Sequence, residues 1–258
     1  MQKRHLDRRR YFREEAATTG KYFIPYVSRF VNLDGASVLE VGCGEGGNLL
    51  PFARMGCRVV GVDLSERRID EAREFFSQDD AAGTFVCQDV LDYVGDGRKF
   101  DLIMAHDVVE HIGDKVRMLR GLRRLLAPGG CLFVAFPAWH MPFGGHQQIA
   151  HSRVLSCLPF VHLLPLRMYE RVLRLFGEDE FTVNELMAIR RTRCTVEAFE
   201  RAVAIAGYTV CDRQLWLVNP HYDVKFGLRP LRLNRLLSTL PYIRNFLSTS
   251  CFYVVKSL

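Results

Sequence analysis

Glu40, Gly42, Gly44, Gly47 and Asp63 are the residues of this 258-residue chain whose types and spacing first point to chemistry. An apolar run of strand character, residues 36–41, stops at the cluster Gly42-Cys43-Gly44-Glu45-Gly46-Gly47, and residues 48–55 then have helical composition. That is a strand, a tight turn and a helix. Glycine removes the Cβ where the backbone must bend sharply and lets a ligand approach, while the free N–H groups opening the helix point at the same spot. Such a turn holds a nucleoside-bearing cofactor.

Gly42, Gly44 and Gly47 also satisfy the GxGxxG spacing of dinucleotide sites, with Asp63 at about the ~20-residue distance at which an acid holds a ribose. Glu40 discriminates between cofactors. A pyrophosphate would meet this like charge beside the amides meant to bind it, which is costly in a partly desolvated site. S-adenosylmethionine (SAM) carries an ammonium, a sulfonium and no phosphate. Glu40 therefore reads as part of a pocket for the methionine end, acting directly or through water.

Five motifs follow in register: ExGxGxG at residues 40–46, Gly61-Val62-Asp63-Leu64-Ser65, Cys87-Gln88-Asp89-Val90, Phe100-Asp101-Leu102-Ile103 and Leu125-Leu126-Ala127-Pro128-Gly129-Gly130. In order and spacing this set resembles class I SAM-dependent methyltransferases, closely over residues 36–137 and more loosely in the last strands. The resemblance implies an α/β fold, a doubly wound Rossmann-like seven-stranded sheet with helices on both faces. It implies that Asp63 accepts both ribose hydroxyls and that Asp89 accepts from the adenine amine, with Val90 flanking the ring and Cys43 and Leu64 lining the cofactor. The plainer roles are helix stabilisation for Asp63 and a cap over residues 90–94 for Asp89. It also implies that helices before the first strand cover the cofactor, with ordinary packing the role expected of Tyr11 and Tyr22 and closure over the cofactor the alternative, and that Glu110-His111 is a structural pair with its histidine buried.

His106 ends the fourth strand, where ligands sit outside the carboxyl ends of parallel strands, and is placed to line the pocket near the reacting methyl. Asp107, Glu110 and His111 have metal-ligating types, as do His140, His146 and His151; the structural Glu-His pair implied by the resemblance accounts for the first set, the second lacks a short ligand signature, and no metal is expected. Beyond Pro137 lies a loop, residues 138–148, dense in aromatic, imidazole and amide groups. His146 is the candidate general base or substrate-orienting group, because its near-neutral pKa suits removal of a hydroxyl proton and two glycines precede it. Trp139, His140, Gln147, His151 and Tyr222 are candidates for substrate contact.

The elements that must position these groups divide the chain into an N-terminal helical cap at 1–35, a SAM-binding core at 36–137, a substrate lid insertion at 138–193, and a C-terminal part of the core at 194–258 with a second insertion at 219–245. Strands are expected at 58–62, 84–87, 100–105, 131–136, 208–218 and 250–256, with Pro128-Gly129-Gly130 as a turn ahead of the fifth. Pro159, Pro165 and Gly177 break the first insertion into short helices, which suits a lid.

The eight cysteines contain no CxxC pair, which fits a reducing compartment better than a disulfide framework. No apolar stretch follows the basic start, and no run approaches the ~20 apolar residues that span a bilayer, so a cytoplasmic location is expected. The net charge of +6 concentrates at the ends: Lys3, Arg4, Arg8, Arg9, Arg10 and Arg13 at the start, and no acid from Phe226 onward. Solvated surface, or contact with an acidic substrate, an anionic lipid surface or RNA, are the readings of that pattern. The expected reaction is methyl transfer from SAM, leaving S-adenosylhomocysteine, to an oxygen of a small or medium-sized metabolite or glycan-type acceptor. The alternatives are a nitrogen or carbon acceptor, an RNA methyltransferase, an NAD(P)-dependent oxidoreductase, and a protein that only binds SAM. No separate RNA-binding module and no Asn-Pro-Pro-Tyr motif is present, and a nicotinamide cofactor would leave Glu40 and Asp89 unexplained.

Overall fold

The apolar run before the glycine turn forms β1 (Ser37–Val41), buried from Val38 onward, as a strand with helices on both sides must be. The computed structural model describes residues 7–258; Lys3 and Arg4 of the basic start lie outside them. Around β1 stand β2 (Arg58–Asp63), β3 (Thr84–Cys87), β4 (Phe100–His106), β5 (Leu126–Phe136), β6 (Tyr208–Val218), β7 (Leu231–Arg232) and β8 (Ser250–Ser257). Their spatial order is β3-β2-β1-β4-β5-β8-β6-β7. Strands β1 to β5 pair in parallel, and β8 runs antiparallel to both its neighbours, β5 and β6. The eighth strand beyond the expected seven is β7, a two-residue edge piece supplied by the second insertion. Strand order reverses between β1 and β4, so the crevice for a ligand lies outside their carboxyl ends.

The fifth strand begins at Leu126 rather than Cys131. Leu126 pairs with Phe100, the register then shifts, and Cys131 pairs with Leu102. Pro128-Gly129-Gly130 is thus an irregularity inside the strand's entry and not a turn ahead of it. A Cβ on Gly130 would sit 2.8 Å from the Phe100 carbonyl oxygen, which explains the glycine.

Helices α1 (Arg8–Thr18), α2 (Ile24–Val27), α3 (Leu49–Arg54) and α4 (Glu66–Gln78) cover one face. On the other lies α5 (Lys115–Leu125). The connection after β5 carries α6 (Arg153–Cys157), α7 (Leu166–Leu175) and α8 (Glu180–Thr192), then α9 (Val196–Ile205) returns beside α5. The connection after β6 carries α10 (His221–Phe226), α11 (Arg235–Thr239) and α12 (Ile243–Leu247). Alternate strand residues face opposite sides. From β1, Leu39 and Val41 enter the core under α5 and α9, whereas Val38 enters the core under α1 to α4. Glu40 shares the Val38 parity, so its carboxylate faces the N-terminal helices.

Those helices are fastened to the sheet by aromatic side chains. Phe23 packs edge-on against Phe133 and Phe252 at 5.1 and 5.3 Å, and Phe133 and Phe252 meet at 5.5 Å. Pairs of this kind contribute about 0.5–1.5 kcal/mol each beyond the area they bury. Between α1 and α2 the backbone widens into a π-helical turn, Thr19–Phe23, a geometry that inserts one extra residue and re-aims side chains.

The first insertion has its own small core, with Trp139, Leu155, Tyr169, Leu173, Val183 and Leu186 buried together. Buried Glu178 closes it by accepting the N–H groups of His151 and Ser152 at 2.8 and 2.9 Å. Much of the basic charge of the ends is neutralised internally. Arg8 pairs with Glu45, Arg9 with Asp79 and Arg10 with Glu14, while buried Arg244 pairs with Glu197 and Glu200 at 2.9 and 3.0 Å. All eight cysteines are unpaired, and among the described residues no helix is long and apolar enough to cross a membrane.

Because among the described residues β8 alone joins β5 to β6, ending the chain at Thr249 leaves two inner edges open. We expect that variant to lose its cooperative thermal transition or to melt at least about 10 °C lower, measured by circular dichroism.

Candidate active site

The glycine turn needs its glycines for three different reasons. Gly42, Gly44 and Gly46 have φ of +66°, +52° and +80°, which side chains rarely tolerate. A Cβ on Gly42 would also fall 2.3 Å from Val108 Cγ2. Gly47 has no left-handed backbone, but a Cβ there would lie 2.6 Å from the Phe12 carbonyl oxygen and 2.7 Å from Glu15 Oε2. The third glycine of the motif is therefore required by the close approach of helix α1.

Asp63, at the end of β2, braces the turn. Its Oδ2 accepts the Gly44 N–H and its Oδ1 the Ser65 N–H, each at 2.9 Å. One lone pair on each oxygen remains for a further donor, which suits a diol. Leu64 beside it is exposed and Cys43 is buried. Asp89 Oδ1 accepts the Leu91 N–H at 2.8 Å, and residues 90–92 form a turn rather than the start of a helix. Val90 is half-buried next to it.

Beneath the turn runs a line of hydrogen bonds. Thr19 Oγ1 donates to Asn48 Oδ1 at 2.7 Å and Asn48 Nδ2 donates to Glu40 Oε1 at 2.8 Å, with His106 Nδ1 3.4 Å from the same amide nitrogen. Glu40 is 1% exposed and its Oε2 has no hydrogen-bond partner. Burial pushes its carboxyl up to about 8, against the Asn48 hydrogen bond, and nearby Asp63 pushes the same way. A buried carboxylate oxygen with an unused acceptor site calls for a cationic donor. It fits the methionine end of SAM and repels a diphosphate. Tyr11 stands beside Glu15, whose charge raises its hydroxyl pKa, whereas Tyr22 donates to Asp223 of α10 at 2.7 Å.

Across the crevice, Asp107 and His146 both hold left-handed backbone, φ +53° and +56°. Strained conformations of this kind cost roughly 1–3 kcal/mol and persist where the surroundings enforce them. Buried Glu110 lies with its Oε1 3.6 Å from His146 Nε2, and the His111 and His146 rings meet edge-on at 5.1 Å. One ligand atom from each of Glu110, His111 and His146 lies within 4.8 Å of the others, the one such trio among the described residues. His111 is exposed, so the Glu-His pair is not the buried structural pair that the family resemblance implies. Burial lowers the His146 pKa, partly opposed by Asp107, and raises that of Glu110 well above the carboxylate range, with Asp107 adding to it.

The remaining candidates are spread more widely. Trp139 is buried in the insertion's core, and its N–H donates to the Cys194 carbonyl at 2.8 Å. Gln147 is fully buried and donates to the Pro142 and Leu158 carbonyls. His140 stacks on Phe246 at 5.0 Å, and exposed His151 lies 3.8 and 3.7 Å from Glu178 and Asp179. His140 and His151 thus stand apart from His146, whose neighbours are Glu110 and His111. Tyr222 is half-buried on α10 within the field of Asp107, which together with the larger effect of burial raises its hydroxyl pKa. Residue types alone missed Glu15, Thr19 and Asn48; the i, i+4 pairing of Tyr11 with Glu15 on α1 was the available signal.

Fold and turn together define a nucleoside-binding Rossmann-like domain with an acidic floor. Residues 38–130 match the family model described as a methyltransferase domain. A ubiquinone biosynthesis O-methyltransferase from Chelativorans is 34% identical over 190 residues, 74% of this chain and 65% of that protein. One from Coxiella burnetii is 36% identical over 110 residues, 43% of this chain and 47% of that protein. The chain thus spans about half to two thirds of the length of such relatives. Among solved structures, a SAM-dependent methyltransferase from Clostridium acetobutylicum superposes with a TM-score of 0.58 at 14% identity, covering 93% of this chain and 91% of that one. The magnesium protoporphyrin IX methyltransferase of Synechocystis with bound S-adenosylhomocysteine gives 0.56 at 17% identity, covering 94% and 82%. The matched domain and these relatives support a class I SAM-dependent methyltransferase family, and the solved structures share its fold.

Replacing Asp63 by alanine orphans the Gly44 and Ser65 N–H groups and removes two carboxylate oxygens whose free lone pairs suit a diol. We expect Asp63→Ala to be destabilised by about 1–3 kcal/mol in urea unfolding and to bind SAM at least about tenfold more weakly by calorimetry.

Proposed function

We propose that this chain transfers the methyl group of SAM to an oxygen of a small or medium-sized metabolite or glycan-type acceptor. The observation that carries the reading is the buried, unpartnered Oε2 of Glu40 under the glycine turn, opposite a half-buried histidine whose Nε2 is also without a hydrogen bond. Relatives named as O-methyltransferases support oxygen as the acceptor atom. SAM supplies an electrophilic methyl on a sulfonium with a good leaving group. The chain's own work is then to hold, align and dehydrate.

Asp63 and Asp89 hold the sugar and the base, and Glu40 receives the cationic end. His106, fixed through Asn48 and packed on Phe23 at 5.2 Å, flanks the crevice. The first insertion, with its own core, excludes water. His146 takes the acceptor's proton. Burial lowers its pKa, so near neutrality the ring is uncharged and its nitrogen is free to accept.

A second reading rests on the trio of Glu110, His111 and His146. One carboxylate and two imidazoles suit a divalent transition ion, and such an ion would acidify an acceptor hydroxyl that it binds. Under the base reading, treatment with EDTA leaves turnover unchanged. Loss of turnover that a divalent ion restores would make the trio a metal site.

Profiling metabolites of a deletion strain for species lighter by one methylene, followed by assay of those species with the purified protein, tests the proposal directly. His146→Ala is expected to bind S-adenosylhomocysteine normally while turnover falls by about 10²-fold or more. Because the neutral ring is the active form and its pKa is lowered, kcat should be flat through neutrality and fall only as pH drops below the ordinary histidine value of about 6.5. A variant that keeps full turnover overturns the assignment of the base.

A further inference from the structure

Helix α1 brings a second acid to the glycine turn. Glu15 is 7% exposed, its Oε2 has no hydrogen-bond partner, and a Cβ built on Gly47 would fall 2.7 Å from that same oxygen. Tyr11, one helical turn earlier, stands beside the carboxyl, whose charge raises the tyrosine hydroxyl's pKa. The charges facing it are Glu40 from β1, Glu45 from the turn and Asp107 from the loop after β4, and Glu40 in turn faces Asp63 of β2. The cations at hand are already placed elsewhere: Arg8 lies 3.2 Å from Glu45, and Arg68 stands 3.9 Å from the position of a Gly44 Cβ.

A buried acid kept for stability alone would be paired or replaced by an apolar group. Here two neighbouring buried carboxyls each keep an unused oxygen, one on the strand below the turn and one on the helix above it. Both are the acceptor half of an interaction for which the described residues supply no donor.

We propose that Glu15 and Glu40 together grip the α-ammonium group at the methionine end of the cofactor, with Glu15 the specificity-determining residue that the N-terminal helix contributes. This assignment rests on the SAM reading above. On binding, ammonium N–H groups donate to the two carboxylates, and the protons that those carboxyls carried in the free protein pass to solvent. Burial raises both groups, Glu40 to about 8 and Glu15 well above the usual range with Glu40 and Glu45 adding to it. A fixed cation favours the ionised forms, so affinity rises as pH rises toward about 8 and proton release fades above the free-state pKa values.

Calorimetric titration near pH 7 in two buffers of different ionisation enthalpy reads this directly. The probes are S-adenosylhomocysteine and 5′-methylthioadenosine, a nucleoside thioether without the amino acid. We expect the first to release about half a proton or more and the second none. Glu15→Gln should bind S-adenosylhomocysteine at least about tenfold more weakly with most of that release gone, while its affinity for methylthioadenosine stays within about twofold and shows that the site is folded. A variant that binds S-adenosylhomocysteine as the wild type does, with the same proton release, overturns the role of Glu15. Equal proton release with the two probes in the wild type overturns the ammonium grip alone. A wild type that binds neither probe overturns the SAM reading and this assignment together.

Discussion

The hydrogen-bond line Thr19–Asn48–Glu40 is the constraint on which the site depends. It ties the π-helical turn of the N-terminal segment to the first residue after the glycine turn and to the floor of β1. A buried carboxylate is unstable without such support, and here the support reaches only one of its oxygens. The fold therefore stabilises an acid that it leaves half satisfied. That is a poor way to build a core and a good way to build a receptor for a cation.

Topology explains why the acceptor side can be built independently. Strands β5 and β6 run in the same direction, so the two insertions that follow them emerge at the same end of the sheet as the glycine turn. The first insertion carries its own apolar cluster and sets His146 against Glu110 and His111 of the Rossmann-like core. The second touches it through the His140–Phe246 stack. Contacts that join the N-terminal helices to α10, such as Tyr22 and Lys21 with Asp223, close the crevice from the other side.

What was legible in the sequence follows the strength of local signals. The bounds of β3 and β6 were readable because alternation and turn residues act over a few positions. The start of β5 was not, because Leu126 joins the sheet through a register shift that only the partner Phe100 defines. β7 has two residues and no periodicity to detect. At the site, Glu40 was found by its charge at an unusual place. Glu15 was missed because a glutamate on a basic amphipathic helix looks solvated until the glycine opposite it removes the space between them. The buried aromatic at Trp139 and the exposed imidazole at His111 show the same limit: the direction a loop residue faces is set by neighbours far away in the chain.

The placement of β8 bears on how the protein is made. Strand β5 ends at Phe136 and its neighbour on that side begins at Ser250, so more than a hundred residues are synthesised while the β5 edge has no partner. At typical elongation rates of about 5–20 residues per second, that edge waits on the order of ten seconds. An apolar strand edge left open that long invites pairing with other nascent chains. The residues of the first insertion's own core, Trp139 to Ile189, are all synthesised before β8 appears.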